Sequence, residues 1–302
     1  MDDPGSGSES RTLPIGPGTQ IGRYRVVGTI GRGGMGSVFE VEDAEGNRFA
    51  LKSPLADVAG RDDVTRRFAR EANALRLLEH PNLVAAADVF VENGMLNLVM
   101  EKVEGPTLGQ QLRGGALAPR HALVIARQLL DGIGHAHSHG IVHRDLKPDN
   151  VILVPMGGWD RVKVIDFGLV KLMGDAAAAF GAGALTSTGL VFGTPAYMAP
   201  EQALGQLVDG RADVYAAGVI LFEMLVGRMP FVDPDPMVLM RLHARTPPPR
   251  LDEVAGGEPW CTPQLVAVIE GALIKNPNER FASAAVMIAA LDDAFQSINH
   301  VA

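Results

Sequence analysis

The chain has a single cysteine, Cys261, among 302 residues. No intrachain disulfide can form, and a reducing cytoplasm suits such a chain. A lone thiol without an obvious basic neighbour reads as inert packing rather than as a nucleophile. Basic tracts are also missing. The formal net charge is −8, and no run of lysine or arginine overrides it, which argues against nucleic acid as the main partner. Long apolar runs are missing as well. The most apolar stretch, Val214 to Val226, is too short to span a bilayer and contains Glu223, so it reads as a buried core helix. The acidic, Gly/Ser/Pro-rich start, residues 1–18, has no apolar core. It reads as a flexible tail and not as a signal peptide. Any membrane association would need sequence beyond residue 302, and the expected location is the cytoplasm. No internal repeat is visible.

What is present is globular. Apolar residues make up 47% and charged residues 21%, in a chain long enough for one large domain or two lobes. Tyr24, Val26, Gly28 and Ile30 alternate with other residues, as in a strand. A turn at Glu45-Gly46-Asn47 returns the chain along Arg48–Lys52. Val64, Phe68, Ala72, Leu75 and Leu78 fall near helical spacing and predict a helix over 62–78, ended by His80-Pro81-Asn82. Two further strands are expected at 87–91 and 96–101, joined by Glu92-Asn93-Gly94. The first part therefore predicts a five-stranded antiparallel sheet with one helix. Beyond Gly105-Pro106 helical stretches dominate, at 119–139, 211–226, 236–243, 263–272 and 283–298, with short strands at 151–154 and 162–165. Strands first and helices second make an α+β arrangement in two lobes, with a hinge at 101–105. The Ala/Gly-rich stretch 176–184 and the proline run 246–249 are expected to be loops.

Four segments carry chemistry. His143-Arg144-Asp145-Leu146-Lys147-Pro148-Asp149-Asn150 puts a candidate base, a cation and an amide ligand into one short loop. Asp145 can take a proton from a hydroxyl, Lys147 can neutralise a phosphoryl group, and Asn150 offers oxygen to a hard cation. Gly31-Arg32-Gly33-Gly34-Met35-Gly36-Ser37-Val38 is a turn whose backbone N–H groups can approach phosphate oxygens. Alone it is a weak signal, because structural turns and dinucleotide-binding turns share it. A dinucleotide turn needs a helix next, whereas a strand, 38–42, is expected here. Phe49-Ala50-Leu51-Lys52 ends a strand on a lysine, which by itself is an ordinary surface residue. Val164-Ile165-Asp166-Phe167-Gly168 sets a carboxylate at a strand end, shortly after Asn150.

In this order the segments resemble the catalytic domain of serine/threonine protein kinases, in the bacterial Hanks-type branch, over about residues 24–298. The resemblance implies a two-lobed protein-kinase fold, with an N-lobe at 24–101, a hinge at 101–105 and a C-lobe at 106–298. It implies ATP with Mg²⁺ (or Mn²⁺), and transfer of the γ-phosphate to serine and threonine hydroxyls of protein substrates. Asp145 would be the base, Lys147 a phosphate-neutralising cation, and Asn150 and Asp166 the metal ligands. Lys52, positioned by Glu71, would hold the α- and β-phosphates under the flap of Gly31, Gly33, Gly34 and Gly36. Val38, Ala50 and Ile152 would sandwich adenine, Met100 would guard the back of the pocket, and Glu101 and Val103 would offer backbone groups. Any of these apolar residues fits simple core packing too.

Gly193-Thr194-Pro195-Ala196-Tyr197-Met198-Ala199-Pro200-Glu201 resembles the segment that positions peptide substrates. Thr194 would bond near Asp145 and Lys147, Glu201 would pair with Arg280, and Asp213 would hold the catalytic-loop backbone. Thr186 and Thr188 sit where relatives carry regulatory phosphates, and Arg144 would pair with such a phosphate. Ala86 stands where relatives place a larger residue beside Leu75, His143 and Phe167. The competing readings are a pseudokinase scaffold, disfavoured by intact Lys52, Asp145 and Asp166, a small-molecule phosphotransferase, and a nucleotide-binding oxidoreductase. The sequence leaves a transient homodimer open and names no physiological substrate.

Overall fold

The computed structural model describes residues 15–33, 36–54, 76, 78–92, 95–167 and 194–299. They fall into two compact units, one within residues 1–61 and 87–102, the other within 62–86 and 103–302.

The first unit is built on a sheet of β1 (Gln20–Ile21), β2 (Tyr24–Gly33), β3 (Gly36–Glu42), β4 (Arg48–Pro54), β5 (Ala86–Glu92) and β6 (Met95–Glu101). Their order is β1-β2-β3-β4-β6-β5. The expected five strands are therefore six. The extra one, β1, pairs Gln20 with Arg25 and Ile21 with Tyr24, and two residues are too few to show a period of two. Residues 15–18, expected to belong to a flexible tail, are instead tied to the sheet. Ile15 packs against the sheet's core, and Gly18 N–H donates to Val26 O at 2.8 Å. Alternation along the strands gathers Tyr24, Val26, Phe39, Val41, Leu51 and Val99 with Ile21 into one buried cluster. Each such side chain contributes roughly 1.5–3 kcal/mol when fully buried. Tyr24 is 1% exposed and rests against Phe49 and Phe90. Its hydroxyl reaches Asp88 Oδ2 at 3.1 Å, so the polar tip of this large ring is satisfied.

The second unit is mainly helical: α1 (Leu108–Leu112), α2 (Pro119–Ser138), α3 (Pro200–Ala203), α4 (Arg211–Val226), α5 (Pro236–Arg245), α6 (Leu251–Val254), α7 (Pro263–Ala272) and α8 (Ala284–Asn299). Proline opens α2, α3, α5 and α7, where its missing N–H would have had no helical partner. Asp235 and Thr262 cap α5 and α7 through their side chains, which spares one orphan N–H each. The short helices α1, α3 and α6 escape prediction because four or five residues carry no helical period.

Helix α4 is the centre of this unit. Every residue from Ala212 to Phe222 is buried, as expected for a helix apolar on all sides. It packs against α2 and α7. At Gly218 a Cβ would come within 2.6 Å of the Ala272 Cβ, so the small residue permits the close approach of α7. The strands β7 (Val151–Pro155) and β8 (Asp160–Val164) pair antiparallel. The segment before β5 is tied to them by Val84 N–H to Val164 O at 3.0 Å and Val164 N–H to Asn82 O at 2.8 Å. No helix among the described residues is long and apolar enough to cross a membrane.

Helix α4 ends at Gly227, whose φ is +75° and whose N–H closes on Glu223 O at 2.8 Å. A Cβ there would lie 2.9 Å from Ala116 N. Gly227→Ala should therefore lower stability by about 1–2 kcal/mol through the left-handed backbone alone, with the Ala116 contact adding to the loss. Urea unfolding of the two proteins checks this.

Candidate active site

The loop after α2 is held from beneath by one carboxylate. Asp213, in the first turn of α4, is 1% exposed. Its Oδ2 accepts His143 N–H at 2.8 Å and its Oδ1 accepts Arg144 N–H at 2.8 Å. His137 Nε2 adds a third bond to Oδ2, also at 2.8 Å. Burial on its own would raise the Asp213 pKa. The His137 bond, the nearby imidazoles and the backbone donors outweigh it and hold the carboxyl below its ordinary range. Arg144 takes a left-handed backbone, φ +66°, and so does Asp166, φ +65°. Both conformations are rare for residues with a side chain, and both stand beside groups of the expected chemistry.

His143 fixes the loop from the side. Its Nδ1 accepts Asp145 N–H at 3.3 Å, so in the neutral ring the proton lies on Nε2, which meets Ile165 O at 2.9 Å. Its ring also meets the edge of Phe167, centroids 4.7 Å apart. This links the loop to the Asp166 segment. Asn150 strengthens the link, because its carbonyl accepts Ile165 N–H at 3.0 Å.

Asp145 is 8% exposed and its oxygens are directed. Oδ2 accepts from Lys147 Nζ at 2.9 Å, and Oδ1 accepts Thr194 N–H at 3.1 Å. Lys147 Nζ also reaches Thr194 Oγ1 at 2.9 Å. Asn150 Nδ2 donates to Asp145 O at 2.8 Å, which leaves the amide oxygen as the end that can ligate a cation. Asn150 and Asp166 are neighbours through Ile165 and both offer hard oxygen. Among the described residues no group of three or more His, Cys, Asp or Glu side chains gathers as a metal cage. Two oxygen side chains suit a small hard cation that keeps waters and phosphate oxygens as its other ligands.

In the first unit, cross-strand register sorts the phosphate-handling candidates. Val38 lies opposite Lys52, Lys52 opposite Leu98, and Ala50 opposite Met100. Cross-strand partners and residues two apart share a face. Val38, Ala50, Lys52 and Met100 therefore occupy the face opposite the one carrying Phe39, Val41, Leu51 and Val99. Gly31 and Gly33 end β2 and Gly36 begins β3, with Gly33 opposite Gly36. A strand follows the last glycine, which excludes the dinucleotide turn. Glu101 ends β6. In the second unit, Val103 follows the division between the units, and Ile152 lies in β7, bridged to Thr107. Gly34, Glu71, Gly168, Thr186 and Thr188 lie outside the described residues, as does the helix expected over most of 62–78.

The substrate-positioning segment is anchored by a buried ion pair. Arg280 and Glu201 are 4% and 2% exposed. Nη1 meets Oε1 at 2.8 Å and Nη2 meets Oε2 at 2.9 Å. The remaining guanidinium N–H groups go to the carbonyls of Ile274, Arg211 and Lys275. All five donors are thus satisfied, a geometry open to arginine and not to lysine. Some contacts escape sequence reading. Gln202 Nε2 donates to Arg144 O at 2.8 Å, and Tyr197 Oη donates to Glu223 Oε2 at 2.7 Å. Burial, against the Tyr197 bond, raises the Glu223 pKa. The only advance sign of this pair was Glu223 standing inside an apolar run.

The family model described as "Protein kinase domain" matches residues 24–291. The chain belongs to this family. It is 41% identical over 276 residues to the serine/threonine-protein kinase Pkn1 of Myxococcus xanthus, covering 91% of this chain and 38% of that protein. It is 38% identical over 284 residues to the serine/threonine-protein kinase PrkC of Bacillus subtilis, covering 91% of this chain and 41% of that one. The chain thus spans about two fifths of the length of these relatives. The crystal structure of the PknI kinase domain of Mycobacterium tuberculosis superposes with a TM-score of 0.71 at 27% identity, covering 93% of this chain and 99% of that one. The fold is therefore that of protein kinases, and membership implies ATP with a divalent cation.

Removing Arg280 strands a buried carboxylate. Arg280→Met should cost about 3–5 kcal/mol, read from urea unfolding. Arg280→Lys should recover only part of it, because an ammonium cannot make the two-pronged contact.

Proposed function

We propose that the chain works as the catalytic domain of a serine/threonine protein kinase, moving the γ-phosphate of ATP to serine and threonine hydroxyls of proteins. The observation that carries this reading is the three-way contact of Asp145, Lys147 and Thr194. It places a carboxylate and a cation beside the segment expected to seat a peptide. Asp145 orients the incoming hydroxyl and accepts its proton. Lys147 neutralises charge on the phosphoryl group in transit. Asn150 and Asp166 would hold Mg²⁺, with Mn²⁺ an acceptable substitute by donor type, and the cation would supply charge neutralisation for the phosphates.

The remaining roles extend the same reading. Glu71, which lies outside the described residues, keeps the role that the resemblance implies, and Lys52 is assigned to the α- and β-phosphates. Gly31, Gly33, Gly34 and Gly36 present backbone donors over them. Val38, Ala50 and Met100 of the first unit are assigned to adenine and Glu101 to a backbone contact with it, and Ile152 and Val103 of the second unit keep the roles that the resemblance implies. The catalytic unit runs over residues 24–298 with its hinge at 101–105. We place it in the cytoplasm, with protein substrates as partners. Neither the homodimer nor the physiological substrate is assigned.

Asp145→Ala should lower phosphate transfer to a generic basic protein by roughly 10²–10⁴-fold. Nucleotide affinity, measured by titration with a fluorescent ATP analogue, should stay within a few-fold of the parent. Equal transfer rates in parent and variant would defeat the assignment.

The same reading includes self-phosphorylation at Thr186 or Thr188. Arg144 Nε is buried without a hydrogen-bond partner among the described residues, and such a donor suits a phosphate. After incubation with MgATP, the peptide spanning 186–188 should gain phosphate by mass spectrometry. An unmodified peptide after full turnover on a protein substrate would refute it.

A further inference from the structure

Behind the substrate-positioning segment lies a hydrogen-bonded chain that none of the roles above uses. Lys275 Nζ donates to Tyr215 Oη at 3.0 Å, and Tyr215 Oη meets His243 Nδ1 at 3.0 Å. Tyr215 lies on α4, two residues after Asp213, and His243 on α5; both are 0% exposed. The direction of the chain follows from donor capacity. An ammonium can only donate, so Lys275 occupies a lone pair of the tyrosine oxygen. Among the described residues the Tyr215 hydroxyl has no other acceptor, so its buried proton is satisfied only when it points at a bare His243 Nδ1. In the neutral ring the remaining proton sits on Nε2.

Helix α5, which carries His243, packs against the turn Pro195–Tyr197, and the backbone of Ala196 lies beside the imidazole. The Nε2 of His243 is buried and has no hydrogen-bond partner of full geometry among the described residues. A buried N–H in this state has lost its bond to water, and a backbone carbonyl beside it lowers that cost. Ala196 is the middle of the turn Pro195–Tyr197. The turn directly follows Thr194, which bonds both Asp145 and Lys147. The imidazole is held on the correct side. Phe231 meets its ring edge-on, centroids 5.0 Å apart, and lies 4.6 Å from the Lys275 ammonium. Arg280, locked to Glu201, covers the Tyr215 ring at 5.0 Å. Burial, with the Lys275 charge, pushes the His243 pKa down to about 4, so the ring stays neutral around pH 7.

We propose that His243 is a positioning residue for the protein substrate: its Nε2–H, oriented by Lys275 through Tyr215, supports the Pro195–Tyr197 turn and so sets how tightly the substrate peptide is held. This rests on the kinase reading of the same site.

The test compares four proteins: the parent, Tyr215→Phe, His243→Phe and His243→Gln. Tyr215→Phe keeps the ring and removes the relay. His243→Phe keeps bulk without a donor, and His243→Gln restores an N–H near the Nε2 position. Both phenylalanine variants should raise KM for a protein substrate by about tenfold, the scale of one net hydrogen bond. KM for ATP and kcat should stay within about twofold, and His243→Gln should return the substrate KM toward the parent. A merely structural role would instead lower the active fraction, reducing kcat without separating the two KM values. In the parent, ¹⁵N NMR of the His243 ring should show the Nε2–H tautomer, a readout independent of whether any variant folds. An Nδ1–H ring overturns the inference, as does an unchanged substrate KM in folded Tyr215→Phe and His243→Phe. A parent that transfers no phosphate to protein sinks the kinase reading itself, whereas normal parent transfer with unchanged KM in the variants sinks only the role of His243.

Discussion

One buried carboxylate, Asp213, decides where the loop bearing Asp145 can be. It accepts two successive backbone N–H groups and one imidazole, so the loop cannot move without exposing an uncompensated charge in the interior. Its place in the first turn of α4 adds the favourable end of the helix dipole. Because α4 is enclosed on all sides, the carboxylate is as immobile as the core itself. The rare backbone conformation at Arg144 becomes intelligible on this footing. The loop bends to present two adjacent N–H groups to one acid, and the strain is held in place by the bonds it allows.

Glu201 and Arg280 do the same for the substrate-positioning segment, at longer range in sequence. A buried ion pair is weak as a source of stability, since desolvation offsets attraction. Here the guanidinium spends its other donors on three carbonyls, which turns the pair into a fixed joint between α3, the start of α4 and the 274–280 loop. Gln202, next in sequence to Glu201, carries the joint to Arg144 O. The two anchored segments are thereby fastened to each other through side-chain-to-backbone bonds, and the Asp145–Lys147–Thr194 contact sits where they meet.

Much of this was legible before any coordinates. The buried helix at Val214–Val226 and the alternation at Tyr24 and Val26 follow from composition and period, whereas Ile30 is exposed beyond the irregular register that follows Val26. The partners Glu201–Arg280, Asp213 with the loop, and Thr194 with Asp145 were expected from the resemblance of the motifs. What escaped has a common cause. Strand β1 is too short for a pattern, and His137, Gln202, Tyr197–Glu223 and Lys275–Tyr215–His243 are polar contacts that only tertiary packing brings together. A histidine at position 243 reads in sequence as one more polar residue near a helix end. Its burial and its tyrosine neighbour exist only once α4 and α5 meet.

The smallest element of the sheet carries a consequence of its own. The outer margin of β2 would be a run of unpaired amides, the kind of surface on which a second chain can dock as an added strand. Gln20–Ile21 covers its beginning, and the bonds of Gly18 and Thr19 with Val26 extend that cover. The matched family range begins only at Tyr24. A fragment cut at that point would lose this hem and invite copies of itself to stitch edge to edge, although every group of the expected chemistry would still be present.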